Sequence, residues 1–136
     1  MNTTLKNSIE ESKFSVILHK EANFVHFIAH GDNQIKDLIK MINKLDEYST
    51  FMENATVLLD LRNQMADYEL SNQDELLLPF EEVVKKFKSV KIADIVNDCK
   101  ETAYAMLFEK KVRKIPNTEF SVFCTYESAI NWLNNN

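Results

Sequence analysis

The sequence predicts an α/β domain built on a mixed, mostly parallel five-stranded sheet with about four helices. Three observations predict it. Apolar runs beginning near Ala55, Val90 and Phe120 each read as strands, and a helix-period pattern follows each of them. Two alternating segments near the start, separated by a short turn, read as a hairpin. Strands joined through helices must be parallel, because the crossover returns the chain to its starting edge. The order is ββαβαβαβα: a hairpin, then three βα crossovers.

Phe14, Val16 and Leu18 alternate with polar residues, Glu21-Ala22-Asn23 offers the turn, and Phe24 to Ala29 is rich in aromatic and β-branched residues. Gly31-Asp32-Asn33 is expected to break this strand and cap a helix. That helix, from about Gln34 to Tyr48, carries Ile35, Leu38, Ile39, Ile42 and Leu45 at 3.6-residue spacing. Ala55 to Leu59 is apolar without alternation and ends at Asp60, as a strand covered on both faces would. The next helix bears Leu76, Leu77, Phe80, Val83, Val84 and Phe87, with Pro79 either kinking it or opening a shorter helix. Val90, Ile92, Ile95 and Val96 form the fourth strand. A third helix, about Lys100 to Val112, has Ala103, Met106, Leu107 and Phe108 as its apolar residues. Pro116-Asn117 precedes a fifth strand, Phe120 to Cys124, and Thr125 caps a last helix with Ala129, Trp132 and Leu133 inward.

A chain of 136 residues with 45% hydrophobic and 27% charged residues suits one globular domain over 1–136. Residues 1–12 are polar and read as a flexible or loosely packed lead-in without a signal peptide. The single glycine, Gly31, excludes a P-loop and a dinucleotide fingerprint, which need two and three. A net charge of −5 argues against a nucleic-acid partner, and the lysine runs from Lys85 and Lys110 read as solvated helix faces. No apolar run has the length of a membrane span. Cys99 and Cys124 fit no metal spacing and read as reduced thiols, so a cytoplasmic location is expected.

The strand pattern, Val57-Leu58-Leu59-Asp60, Lys91 to Val96, and the closing Ala129-Ile130-Asn131-Trp132-Leu133 together resemble the STAS-like domains of bacterial anti-sigma-factor antagonists. The likeness is to their divergent SpoIIAA-like branch, grouped with CRAL-TRIO lipid-binding proteins, and covers the chain from Phe14 onward. It implies a regulatory, protein-interacting domain. Antagonists of that family carry a phosphorylated Asp-Ser pair after the third strand. Here Asp67 is followed by Tyr68, and Ser71 lies several residues late, so the phosphorylation switch is not carried over.

Candidate chemistry falls at the carboxyl ends of the parallel strands, where open α/β sheets bind ligands. Asp60, Arg62, Asn63, Asp67, Tyr68 and Ser71 are expected in the loop after the third strand, with Asn97 and Asp98 after the fourth; helix capping is their alternative role. Asp94 interrupts an apolar strand, which requires either a partner such as Lys91, edge exposure or a functional use. His19 and His26 lie diagonally on one hairpin face, with His30 too far along to complete a metal site. No nucleophile constellation, metal site or cofactor is expected. Three functions follow: a non-enzymatic module binding a protein partner or a second copy of itself, a homodimer covering the exposed hairpin edge; a carrier or sensor of a small apolar or lipid-like ligand, drawn from the CRAL-TRIO likeness and the aromatic and Met content; and an enzyme using Asp60 and Asp98 as an acid–base pair.

Overall fold

In the computed structural model, which describes residues 4–8 and 13–135, alternation and helical period produce the predicted elements in the predicted order. The strands are β1 (Thr4–Ser8), β2 (Phe14–His19), β3 (Phe24–Asn33), β4 (Asn54–Ala66), β5 (Ser89–Ile95) and β6 (Thr118–Phe123). The α-helices are α1 (Ile35–Tyr48), α2 (Gln73–Val84), α3 (Cys99–Val112) and α4 (Tyr126–Asn134). The sheet runs β1-β2-β3-β4-β5-β6 in space. β2 and β3 are antiparallel, and β3, β4, β5 and β6 are parallel neighbours, so the runs at Ala55, Val90 and Phe120 share one direction.

The five expected strands gain a sixth, because Thr4–Ser8 pairs antiparallel with β2. Its sequence, TLKNS, has no apolar face to reveal it. The lead-in therefore includes a sheet strand, while 1–3 and 9–12 lie outside the described residues. The hairpin edge expected to be open for homodimerisation is covered by this strand.

Residues of one parity on each strand meet α1, α2 and α3. Phe14, Val16, Leu18, Val25, Phe27, Ala55, Val57, Val90 and Ile92 form that core with Leu38, Phe80 and Phe108. The other face is covered over β4 and β5 by α4, where Leu58, Ala93 and Ile95 pack with Ala129 and Leu133. As expected, Thr125 caps α4, accepting a hydrogen bond from the Ser128 amide at 3.2 Å.

Three expectations are corrected, and the alternative left open for Pro79 is decided in favour of a place inside the helix. Gly31-Asp32-Asn33 does not end β3; the strand runs to Asn33, and α1 starts after Gln34, whose amide donates to Asp37 Oδ2 at 2.8 Å. β4 continues past Asp60 to Ala66, because β3 extends beside it and supplies a pairing partner through Asn33–Ala66. Pro79 lies inside α2 as its seventh residue, and its missing amide removes one helical bond without ending the helix. The inner stripe of α3 is Glu101, Ala105, Phe108 and Val112, whereas Met106 and Leu107 face solvent.

Gly31 has φ +72°, and a Cβ there would meet only Lys13 Cδ at 4.0 Å. Space is adequate and the strain is purely in the backbone. Gly31→Ala is expected to cost about 1 kcal/mol, read as a lower urea midpoint with an unchanged slope; no loss would show that the backbone relaxes.

Candidate functional site

A local irregularity in β4 sets the site. Ile28 pairs with Asp60 but His30 pairs with Asn63, so one extra β4 residue lies opposite β3. The amide of Arg62, inside this bulge, donates to Asp60 Oδ1 at 3.1 Å. Before the bulge, odd-numbered β4 residues such as Val57 and Leu61 face α1–α3; after it, the even-numbered Gln64 does. The bulge thus turns a polar side chain into the main core.

Around Gln64 is an interior polar cluster. Gln64 Nε2 donates to Tyr68 Oη at 2.8 Å and to Glu101 Oε1 at 3.2 Å. The rings of Tyr68 and Tyr104 meet edge to face at 4.9 Å, and Gln73 Nε2 donates to the Tyr104 carbonyl at 2.7 Å. Asp94 projects into the same region from β5 and is 3% exposed. Asp94 Oδ1, Gln64 Oε1 and Tyr104 Oη are buried without a hydrogen-bond partner. Such atoms forgo their hydration, and each costs about 1–3 kcal/mol.

Burial, then the nearby Glu101 and Asp60, push the Asp94 carboxyl up to about 8. Burial also raises Glu101, against the hydrogen bond from Gln64. It pushes Tyr104 up to about 12 and raises Tyr68 as well. Asp94, Glu101, Tyr68 and Tyr104 border a cavity of about 90 Å³ between sheet and helices. Its remaining wall is apolar, including Leu59, Phe80, Phe108 and Phe120.

On the opposite face of the sheet, Asp60 receives a bidentate contact from Arg62, Nε to Oδ1 at 2.9 Å and Nη2 to Oδ2 at 2.8 Å. Burial would raise Asp60, but these bonds outweigh it and hold the carboxyl below its ordinary value. His26 lies beside this pair with Nε2 buried and unpartnered, and burial lowers its pKa. Asn97 Nδ2 donates to the Arg62 carbonyl at 2.6 Å, tying β4 to the start of α3.

The eight residues expected to share one rim are therefore divided. Asp60, Arg62 and Asn63 belong to β4 itself, correcting their placement in a loop. Asp60 and Arg62 pair with each other, Asn97 bonds the Arg62 backbone, and Tyr68 lies inside the core. Asp67 accepts from Gln34 Nε2 at 3.4 Å, Ser71 is exposed in a short 3-10 turn, and Asp98 caps α3 by accepting from the Glu101 amide at 2.7 Å. Lys91 does not pair with Asp94: its Nζ donates to the Trp132 carbonyl at 2.8 Å and stacks over the Trp132 ring. Nor is Asp94 at an edge, since β4 and β6 flank its strand. His19 and His26 are diagonal neighbours, as the pairing of His19 with Phe24 and Ile17 with His26 shows. Among the described residues no group of three or more His, Cys, Asp or Glu has the geometry to hold a metal ion.

Gln64, Glu101 and Tyr104 are the functional candidates that sequence reasoning missed. Glu101 had a readable signal, since 101, 105, 108 and 112 follow helical spacing and place it on the buried stripe.

No protein-family model and no curated protein matches the chain. Among solved structures it is similar to an uncharacterised protein of the DUF3478 family with a SpoIIAA-like fold from Shewanella loihica PV-4. The two align with a TM-score of 0.55 and 17% identity, over 96% of this chain and 92% of that one. The parallel β3–β6 layer, the antiparallel strands beside it and the helices on both faces thus make up a SpoIIAA-like, STAS-type α/β fold.

Proposed function

We propose that this chain is a non-enzymatic regulatory module that binds a protein partner through the segment running from the end of β4 into α2. The observation that carries this reading is apolar exposure in that segment. Met65, Leu70 and Leu78 are 70%, 53% and 68% exposed within fourteen residues, beside the polar Asn63, Asp67 and Ser71. Large apolar side chains exposed this close along the chain gain by leaving water together, which is how interface cores form. β1 covers the hairpin edge and is itself the outer strand of the sheet, so the proposed contact is placed on the β4–α2 segment and not on a sheet edge. Among the described residues no helix is long and apolar enough to cross a membrane. The exposed, unbridged thiols Cys99 and Cys124 support a reducing cytoplasmic setting.

The test compares the wild type with the Met65→Glu/Leu78→Glu variant. Both side chains are solvent-facing, so the variant should keep its circular dichroism spectrum and melting temperature. Affinity capture from the source organism, quantified by mass spectrometry, should recover a partner with the wild type and lose it at least about tenfold with the variant. Equal recovery by both, or no partner for a monomeric wild type, would overturn the reading.

The cavity favours a second reading, a sensor of a small ligand. Its volume of about 90 Å³ is well short of the roughly 300 Å³ where ligand pockets begin, so it suits a compact molecule and not a lipid chain.

A further inference from the structure

We propose that the cavity between the sheet and helices α1–α3 is a binding site for a small organic ammonium, its charged head at Asp94 and its apolar body among Phe80, Phe108 and Phe120. This rests on the second reading, the small-ligand sensor, and not on the partner-binding reading, although Tyr68, Leu76 and Phe80 of the cavity wall belong to the same segment.

Hydrogen-bonding capacity is the first argument. Among the cavity-lining residues, Asp94 Oδ1 is unpartnered and, once the carboxyl is ionised, only accepts, and the unpartnered Tyr104 hydroxyl accepts as readily as it donates. An occupant that satisfies them must donate, and an ammonium carries up to three donors. A carboxylate carries none.

Charge is the second. Two carboxyl groups, Asp94 from β5 and Glu101 from α3, line the space, and no Lys, Arg or His lines it among the described residues. Tyr68 and Tyr104 are the other titratable groups facing Asp94. Asp60 adds negative potential from the other side of β4, and Lys100 acts only on Glu101. Helices α1 and α2 contribute apolar wall, such as Leu38 and Phe80. A cation entering here finds a counter-ion already positioned, where otherwise the carboxyl must keep its proton.

The walls are the third. Phe80 meets Phe108 edge to face at 5.5 Å, and Phe108 meets Phe120 likewise at 5.6 Å. With the Tyr68–Tyr104 pair they line the space with aromatic rings, a wall that suits both an apolar body and a nearby cation. The volume admits a body of about four non-hydrogen atoms, scaled from the roughly 150 Å³ engineered cavity that holds benzene.

Isothermal titration near pH 7.5 with isobutylamine, isobutanol and isovalerate tests this, since the three share one isobutyl body and differ in the head. The amine should bind at least about tenfold tighter than the alcohol, and isovalerate should not bind. Affinity for the amine should rise between pH 6 and pH 8 as Asp94 gives up its proton to make the ion pair. Asp94→Asn should weaken the amine about tenfold or more and leave the alcohol unchanged. Should that variant not fold, Glu101→Gln decides, with an expected loss of about threefold. Alcohol binding as tight as the amine's, undiminished binding by the deciding variant, or no heat from the amine at millimolar concentration would each overturn the site. None of these results bears on the partner-binding face.

Discussion

Asp94→Asn should make this protein more stable at neutral pH, by about 2–4 kcal/mol, and should flatten its stability between pH 4 and pH 8. The carboxyl lies 3% exposed with Oδ1 unpartnered, and its pKa is pushed up to about 8 from an ordinary 3.8. Between those two values the folded chain holds a proton that the unfolded chain has released. Stability therefore falls as pH rises through this window, and the loss reaches on the order of 4 kcal/mol at pH 7. Asparagine keeps the shape, stays neutral in both states and removes that slope. Below about pH 4 both proteins carry a neutral side chain at this position and should be equally stable. Glu101, raised in the same direction, leaves a smaller slope of the same sign in the variant. Urea denaturation at several pH values reads the result directly. A variant less stable than wild type at pH 7 would mean that Asp94 is ionised and paired in the folded chain.

A residue that lowers stability at neutral pH while its strand pairs on both sides has a cost that core packing does not explain. Asp94 was legible from sequence for this reason: a carboxylate among Ile92, Ala93, Ile95 and Val96 contradicts its strand. The helical order and the parallel direction of β4, β5 and β6 were legible too, because periodicity and crossover geometry are local rules. The bulge in β4 was not, since no residue type between Asp60 and Asn63 announces an extra position, and a one-residue shift exchanges the two faces. Gln64, which no sequence signal singled out, is consequently a core residue in the fold. Tyr68 was selected for a rim and lies in the interior, just past the end of β4, where its hydroxyl accepts from Gln64. β1 escaped because its pairing depends on the neighbouring β2 edge and not on its own pattern. On α3, the apolar Met106 and Leu107 drew the inner face away from its true stripe, which begins with the charged Glu101.

The bulge itself makes the second large prediction. Asp60 is 5% exposed, and the bidentate Arg62 contact together with the Arg62 amide satisfies its oxygens. Arg62→Ala removes two of the three donors and leaves a carboxylate that burial alone would push up. The arginine side chain is 34% exposed, so solvent screens part of the pair, and the expected loss at pH 7 is about 2 kcal/mol. Asp60→Asn should cost less, because it removes the buried charge along with the partner. The double variant should recover about 1 kcal/mol relative to the sum of the single ones. Asp60 is depressed when folded, so its contribution is present above the unfolded carboxylate value and disappears as pH falls through the folded one. The gap between wild type and Arg62→Ala should therefore close in acid. His26 supplies an independent readout: with the guanidinium gone and Asp60 still charged, its titration by NMR should move upward. If Arg62→Ala loses under about 0.5 kcal/mol and leaves His26 unmoved, the pair is an exposed ornament of the surface and β4 holds its bulge by strand pairing alone.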